Sequence, residues 1–263
     1  MKHTIKETAE LLGVTTHNLR YYEKMNLIKP ETNEENGYRY YSILDTRRFN
    51  LIRYYRSMGL SIEEINSILI NKEQFNENAL LERINNEIIV NYMTLDSIKE
   101  HSNLVNYMHE NFNQISVIER RPSIRVEFAK GDVLTKDKNL IQLRDTLLKY
   151  PSISRWVSRI DTESLLNNEE FNFYYGLNMD LNSAVSLGID ISKYEIILKS
   201  KYILGFYKKD NRFKYTLDDF KFFRDYINNN LIKVGNIFVS TVSSDGDSED
   251  YCIYNLIIAE ILE

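Results

Sequence analysis

Between Asn76 and Phe112 the chain contains neither glycine nor proline. Through this segment Leu81, Ile84, Ile88, Asn91, Leu95, Ile98, Ser102, Val105, His109 and Phe112 step by alternating threes and fours. Such spacing keeps a stripe of side chains on one side of a helix, so the segment predicts one long helix with a heptad seam. The seam is long enough for a coiled coil, in which Asn91, Ser102 and His109 cost stability and fix the register. A long amphipathic helix packed within its own chain is the competing reading.

The 263 residues are 43% hydrophobic, enough for more than one core and for about two domains. No run of roughly 18 uncharged apolar residues occurs, and the opening MKHTIKETAE has no apolar signal region, so neither a membrane span nor export is expected. The single cysteine, Cys252, cannot close an internal disulfide or build a thiolate metal site alone, and a reducing cytoplasm is its natural setting. The formal charge of −5 argues against nucleic acid only as an average. Residues 1–70 hold ten Lys and Arg against nine Asp and Glu, a net of +1, while the remainder carries −6. A DNA-binding surface would therefore depend on where the charges sit.

Local signals divide the first seventy residues. Thr4 with Glu7 is a capping box, Ile5, Ala9 and Leu12 repeat at helical spacing, and Gly13 suits the left-handed stop. Thr15 or Thr16 caps a second helix through Leu19 to about Met25, which makes a helix-turn-helix. Asn36-Gly37 is a hairpin signal with Tyr38, Arg39, Tyr40 and Tyr41 on the returning strand, a wing. Ser42 and Asp45 open a third helix, and Ser61 with Glu64 caps a fourth after Gly59.

The peptides IKETAELLGVTTHNLRYYEKMNLI, NGYRYYS and MGLSIEEI, in this order and spacing, resemble the DNA-binding domain of the MerR family of transcription regulators. The resemblance implies that the second helix enters the major groove of double-stranded promoter DNA, while the wing and the following helix pair grip phosphates. Thr16, His17 and Asn18 then face base edges or nearby phosphates, and Arg20 with the hydroxyl of Tyr21 or Tyr22 donates to the backbone. Adjacent tyrosines on a helix point about a hundred degrees apart, so one of the two belongs partly to the core. Tyr38 and Arg39 in the wing, and Arg56 near the end of the third helix, complete the expected contacts. The family pairs through an antiparallel coiled coil at the place of the long helix, which implies a homodimer on a roughly palindromic operator, with RNA polymerase as a partner at the promoter. Metal and redox sensing, another branch of the family, needs cysteines around that coil. None is there, and His3, His17, His101 and His109 do not cluster in sequence, so no metal or cofactor is expected.

After Glu119 the pattern changes. SIRVEFAKG, FNFYYGLNMDL, YEIILKSKYILGFYKK and YCIYNLIIAEIL read as strands, and KNLIQLRDTLLKY and TLDDFKFFRDYINNNLI as helices, which gives an α+β domain. The element order, with YYGLNMD and SKYILGFYKK, resembles the GyrI-like effector-binding domain of some multidrug-responsive MerR regulators. The expected architecture is thus α+β: a winged helix-turn-helix over 1–72, a coiled-coil dimerisation helix over 73–116 and an effector domain over 117–263.

Aromatic residues make up 12% of the chain and suit flat small-molecule effectors. Trp156, Phe173, Tyr174, Tyr175, Tyr202, Phe206 and Tyr251 are pocket candidates, although Tyr174 and Tyr175 alternate along a strand and cannot share a face. Multidrug-binding relatives place a glutamate on the last strand. One register of CIYNLIIAE puts Asn255 there, and a slip offers Glu260. If the residue is Asn255, a neutral or hydrogen-bonding ligand is favoured, because burying a cation without a carboxylate is costly. GyrI-like domains have hydrolytic relatives, but no nucleophile elbow, phosphate loop or metal motif is present, so an enzyme is not expected. A ligand-responsive activator that distorts the promoter spacer is the leading expectation, with hydrolysis or protein-partner binding by the C-terminal domain as alternatives.

Overall fold

The computed structural model describes residues 2–34, 36–112, 114–210, 215–245 and 252–262. They form two compact units, Met1–Ile84 and Asn85–Glu263. The first contains β1 (Lys2–Thr4), α1 (Ile5–Leu12), α2 (Thr16–Lys24), β2 (Glu31–Thr32), β3 (Arg39–Ser42), α3 (Ile43–Ser57) and α4 (Ile62–Leu69). Three reciprocal capping boxes, Thr4 with Glu7, Ser42 with Asp45 and Ser61 with Glu64, start α1, α3 and α4. Gly13 ends α1 at a φ of +63°, where a side chain would be strained. The strands form a small sheet in the order β1-β3-β2, and Leu19, Leu27, Ile28, Tyr41, Phe49, Ile52 and Ile65 form the core beneath it.

The long helix, α5 (Glu77–Asn111), is shared by both units. Leu80 and Ile84 complete the core of the first unit, while Val90, Met93, Leu104 and Met108 pack in the second. Leu81, Ile88, Tyr92 and Leu95 are exposed, at 50–67%. At 100° per residue these four lie within roughly 60° of one another, on the side of the helix away from Val90, Leu104 and Met108. The heptad seam is therefore continuous in sequence but not in space. In a straight helix a seven-residue repeat drifts by about 20° per heptad. The seam starts in solvent at Leu81 and Ile88, and Val105 and Phe112 at its end pack against the chain's own sheet.

The second unit continues with β4 (Ser116–Arg120), β5 (Ser123–Lys130), β6 (Val133–Leu134), α6 (Lys138–Leu148), β7 (Arg155–Ile160), α7 (Thr162–Leu166), β8 (Phe173–Asp180), α8 (Leu181–Ser186), β9 (Glu195–Ile197), β10 (Ser200–Asp210), α9 (Lys221–Asn229), β11 (Val234–Asp245) and β12 (Cys252–Ile261). Among the described residues the strands form one antiparallel sheet, β4-β10-β12-β11-β7-β8-β5-β6, with β9 also paired to β5. Sequence reading found β5, α6, β8, β9 with β10, α9 and β12. It missed β4, β7 and β11, whose alternation is interrupted by arginine, serine and glycine.

Glycine in YYGLNMD has a packing reason. A Cβ on Gly176 would sit 2.7 Å from the Val126 carbonyl oxygen and 2.9 Å from the Arg125 guanidinium. Arg125 is 1% exposed, and each of its five N–H groups finds an acceptor. It donates to the Val157 and Tyr174 carbonyls at 3.1 and 3.0 Å, to Asn178 Oδ1 at 2.7 Å, and to Glu127 Oε1 through Nε and Nη2 at 3.1 and 3.0 Å. Arg159 grips both oxygens of Glu127, at 2.7 and 3.0 Å. One buried cation thereby joins β5, β7 and β8. Gly176→Ala should cost about 1–3 kcal/mol of unfolding free energy in urea denaturation, because neither the backbone oxygen nor the fully bonded guanidinium can retreat.

Burial pushes the Glu127 carboxyl upward, but hydrogen bonds and charge from Arg159 and Arg125 outweigh it and hold the group below its ordinary 4.5. A depressed carboxylate stabilises the fold above its unfolded value, and that contribution is lost as pH falls through the folded value. Glu127→Gln should therefore be less stable than the parent at neutral pH, with the difference closing as pH falls through the depressed folded value in urea titrations repeated at several pH values.

Candidate functional site

In the first unit, α2 presents His17, Asn18, Arg20 and Tyr21 to solvent, with Thr16 half-buried at its start. Thr15 is the cap, its Oγ1 accepting the Asn18 N–H at 3.3 Å, which leaves the Thr16 hydroxyl outside the capping interaction. The two tyrosines divide their roles. Tyr21 is 41% exposed, whereas the Tyr22 ring meets Phe49 edge to face at 5.3 Å and belongs to the core. Tyr22 is thus the one of the two that packs partly into the core.

In the wing, Tyr38 is 65% exposed and Gly37 turns the chain at a φ of +68°. Arg39 Nε lies 3.2 Å from Glu23 Oε2, leaving its other donors on a half-exposed side chain. The buried Tyr41 hydroxyl donates to the same carboxylate. Burial raises the Glu23 carboxyl above its ordinary range, while the charges of Arg39 and Arg20 pull it back. The wing is in this way tied to α2 through one glutamate. Arg56 is exposed, and one of its donors, Nη1, reaches the Leu60 carbonyl at 2.5 Å in the turn between α3 and α4.

The second unit holds a cleft of about 1110 Å³. Its origin is a parting of strands. β7 and β11 pair only where Ile160 to Ser158 meet Ile237 to Val239, and beyond those residues they do not pair with each other. Arg155, Trp156, Val157 and Ser158 line one side, and Val239, Ser240 and Thr241, with Asn255, Leu256 and Ile258 of β12, line the other. Phe173 and Tyr175 of β8, Leu204 of β10, Arg120 of β4 and one side of α5 around Ile98, His101 and Val105 complete the walls.

Of the aromatic candidates, Trp156, Phe173 and Tyr175 reach this cleft. Tyr174 does not. It lies under Arg159, 4.1 Å from the guanidinium to the ring centre, and Tyr175 faces the cleft in its place. The two tyrosines alternate across the strand, and Tyr175 is the one of the pair that meets the cleft. Tyr202 and Phe206 are corrected to core: both are buried with Met108, Leu204 and Phe238. On a central strand covered by a helix, a large ring is worth most as packing. Tyr251 lies outside the described residues.

On the last strand, Asn255 lines the cleft and Glu260 does not. Asn255 is fully buried and lines the cleft, its Oδ1 accepting from Thr241 Oγ1 at 3.2 Å and the Tyr215 hydroxyl at 3.5 Å. Its amide nitrogen has no partner among the described residues. Glu260, five residues along, lies on the other face of β12 with Leu256 and Ile258, opposite Tyr202, and does not line the cleft. Sequence reading missed Glu100, Arg120, Arg155, Tyr215, Phe238 and Thr241, because most of them come from strands it did not find or from the long helix it treated as a seam. Among the described residues, no group of three or more His, Cys, Asp or Glu could hold a metal ion, and no helix is long and apolar enough to cross a membrane.

Comparison with known proteins bears on the first unit. Residues 3–72 match the family described as MerR HTH family regulatory protein. A probable heavy metal-dependent transcriptional regulator of Haemophilus influenzae is 43% identical over 65 residues, 25% of this chain and 51% of that protein. The HTH-type transcriptional activator mta of Bacillus subtilis is 33% identical over 69 residues, 26% of this chain and 27% of its own length. The match therefore spans about half of the first relative and about a quarter of the second. The EcmrR–DNA complex solved by cryo-electron microscopy aligns with 99% of this chain and 100% of its own, at 17% identity and a TM-score of 0.39. From Lys2 to the end of α4, the caps, the turn at Gly13, the exposed face of α2 and the wing coincide with the segment that matches the family. The N-terminal unit is accordingly a helix-turn-helix domain of the MerR type, over residues 3–72.

Proposed function

We propose that the chain is a homodimeric, ligand-responsive regulator of transcription, whose first unit binds promoter DNA and whose second unit holds a small effector in the cleft between β7 and β11. The observation that carries this reading is the pairing of a family-matched DNA-binding unit with a separate unit built around a cleft of about 1110 Å³. That volume exceeds what one drug-sized molecule needs. The C-terminal unit is read as GyrI-like on the sequence motifs around Gly176 and Gly205. A Cβ at Gly205 would stand 2.9 Å from the Phe222 ring, so both glycines admit a neighbour against their strand.

The exposed stripe Leu81, Ile88, Tyr92 and Leu95 supports pairing with a second copy through α5, which would set two α2 helices on one two-fold axis and a roughly palindromic operator. His17, Asn18, Arg20, Tyr21, Tyr38 and Arg39 are the residues assigned to DNA, with Thr16 at the edge of the interface. Activation is the favoured sense, since one relative is named an activator. RNA polymerase is then the partner at the promoter. An effector acts only through its differential affinity for the DNA-distorting state. Asn255 in the cleft, where a glutamate would neutralise a cation, turns the effector away from lipophilic cations.

The test is quantitative DNA binding by the full chain to an operator selected in vitro and to random duplex, over a range of salt. Arg39→Ala and Arg20→Ala should each weaken binding to both duplexes and lower the salt slope by about one for every phosphate that the arginine neutralises. Undiminished affinity in both variants would remove α2 and the wing from the DNA interface.

A further inference from the structure

The charges lining the cleft are unbalanced. Its charged side chains are Glu100, Arg120 and Arg155, besides His101. Glu100 is already engaged on both oxygens, by Arg121 Nη1 at 3.2 Å and by Arg155 Nη2 at 3.2 Å, and it is half-exposed. Two guanidinium groups thus share one carboxylate. Arg120 is the one left over: it has no hydrogen bond and no ion pair among the described residues, and its guanidinium rests over the Tyr202 ring at 5.6 Å.

Burial disfavours the charged form of Arg120, Tyr202 beside it favours that form, and the charges of Arg155 and Arg125 disfavour it. A half-buried guanidinium that has no protein partner among the described residues gains from a counter-charge brought to it. Around it the walls are apolar, with Ile118, Leu204, Phe238 and Ile258. Asn255 does not serve this end of the cleft. Arg120 is registered with Ser200 of β10 and Asn255 with Tyr207, seven residues along the strand, or about 23 Å.

We propose that the Arg120 end of the cleft receives the carboxylate, or an equivalent oxyanion, of an otherwise apolar small molecule whose body lies against Leu204, Phe238 and Ile258. The inference rests on reading the cleft as the effector site and specifies the charge of what binds there. A planar carboxylate matches the guanidinium fork, and Arg155 stands near enough to strengthen the local positive field.

The experiment is calorimetric titration of the full chain with three matched probes, 2-naphthoate, 2-naphthamide and 2-naphthylmethylammonium, which share a ring and differ in charge. The naphthoate should bind about tenfold more tightly than the amide, with the ammonium weakest. Arg120→Gln should bring the naphthoate to within about twofold of the amide, and Arg120→Lys should keep part of the preference. If Arg120→Gln does not fold, the ranking of the three probes on the unaltered chain decides by itself. Binding of the amide or the ammonium at least as tight as the naphthoate would overturn the anion assignment and leave the cleft as an effector site. Binding of none of the three would take down both readings.

Discussion

A helix of 35 residues, about 52 Å long, carries more apolar side chains than its own chain covers, and the remainder of this structure follows from where they go. Leu80 and Ile84 close the core of the DNA-binding unit, and Val90, Leu104 and Met108 pack in the sheet unit. What is left is the stripe of Leu81, Ile88, Tyr92 and Leu95. Such a row of large apolar side chains on one helix side is the surface a second helix covers, at several tenths of a kcal/mol or more for each side chain buried. Its position on α5 is fixed by the drift of a seven-residue repeat on a straight helix, which turns the later seam positions inward.

The cleft has a similarly simple physical origin. A long antiparallel sheet whose halves twist apart must lose pairing somewhere, and here the loss falls between β7 and β11, after only three residue pairs. Arg125 steadies β7 at that point by donating to the Val157 carbonyl, while its guanidinium lies 5.2 Å from the Phe238 ring centre, so that buried charge and ring support the two strands that diverge. Gly176 makes this possible by having no side chain. The cleft is lined mainly by apolar groups, and Asn255 and Arg120 stand far apart along β10.

Much of this was legible in the sequence. Capping boxes and a left-handed glycine are local, and local chemistry at Thr4, Gly13, Ser42 and Ser61 needs nothing from the rest of the chain to be read correctly. The alternation of Tyr174 and Tyr175 was equally legible, but which of them meets the cleft depends on a strand, β7, whose pattern RWVSRI is broken by charge. Those charges have a reason that sequence does not display: Arg155 meets Glu100 and Arg159 meets Glu127, both partners remote in the chain. Tyr202 and Phe206 read as ligand-binding aromatics because composition rewards aromatics equally whether they line a cavity or fill a core. The seam was visible, its division into an exposed and a buried half was not, since that depends on which side of α5 the sheet occupies.

The most direct test of the central claim, that the uncovered stripe of α5 is where two copies meet, is sedimentation equilibrium of the full chain beside Ile88→Glu and Leu95→Glu. The account predicts a dimer for the unaltered chain and monomers for both variants, with helical content close to that of the parent, because neither side chain contributes to either core. A monomeric parent, or variants that remain dimeric, would contradict it and place the dimer, if there is one, on another surface.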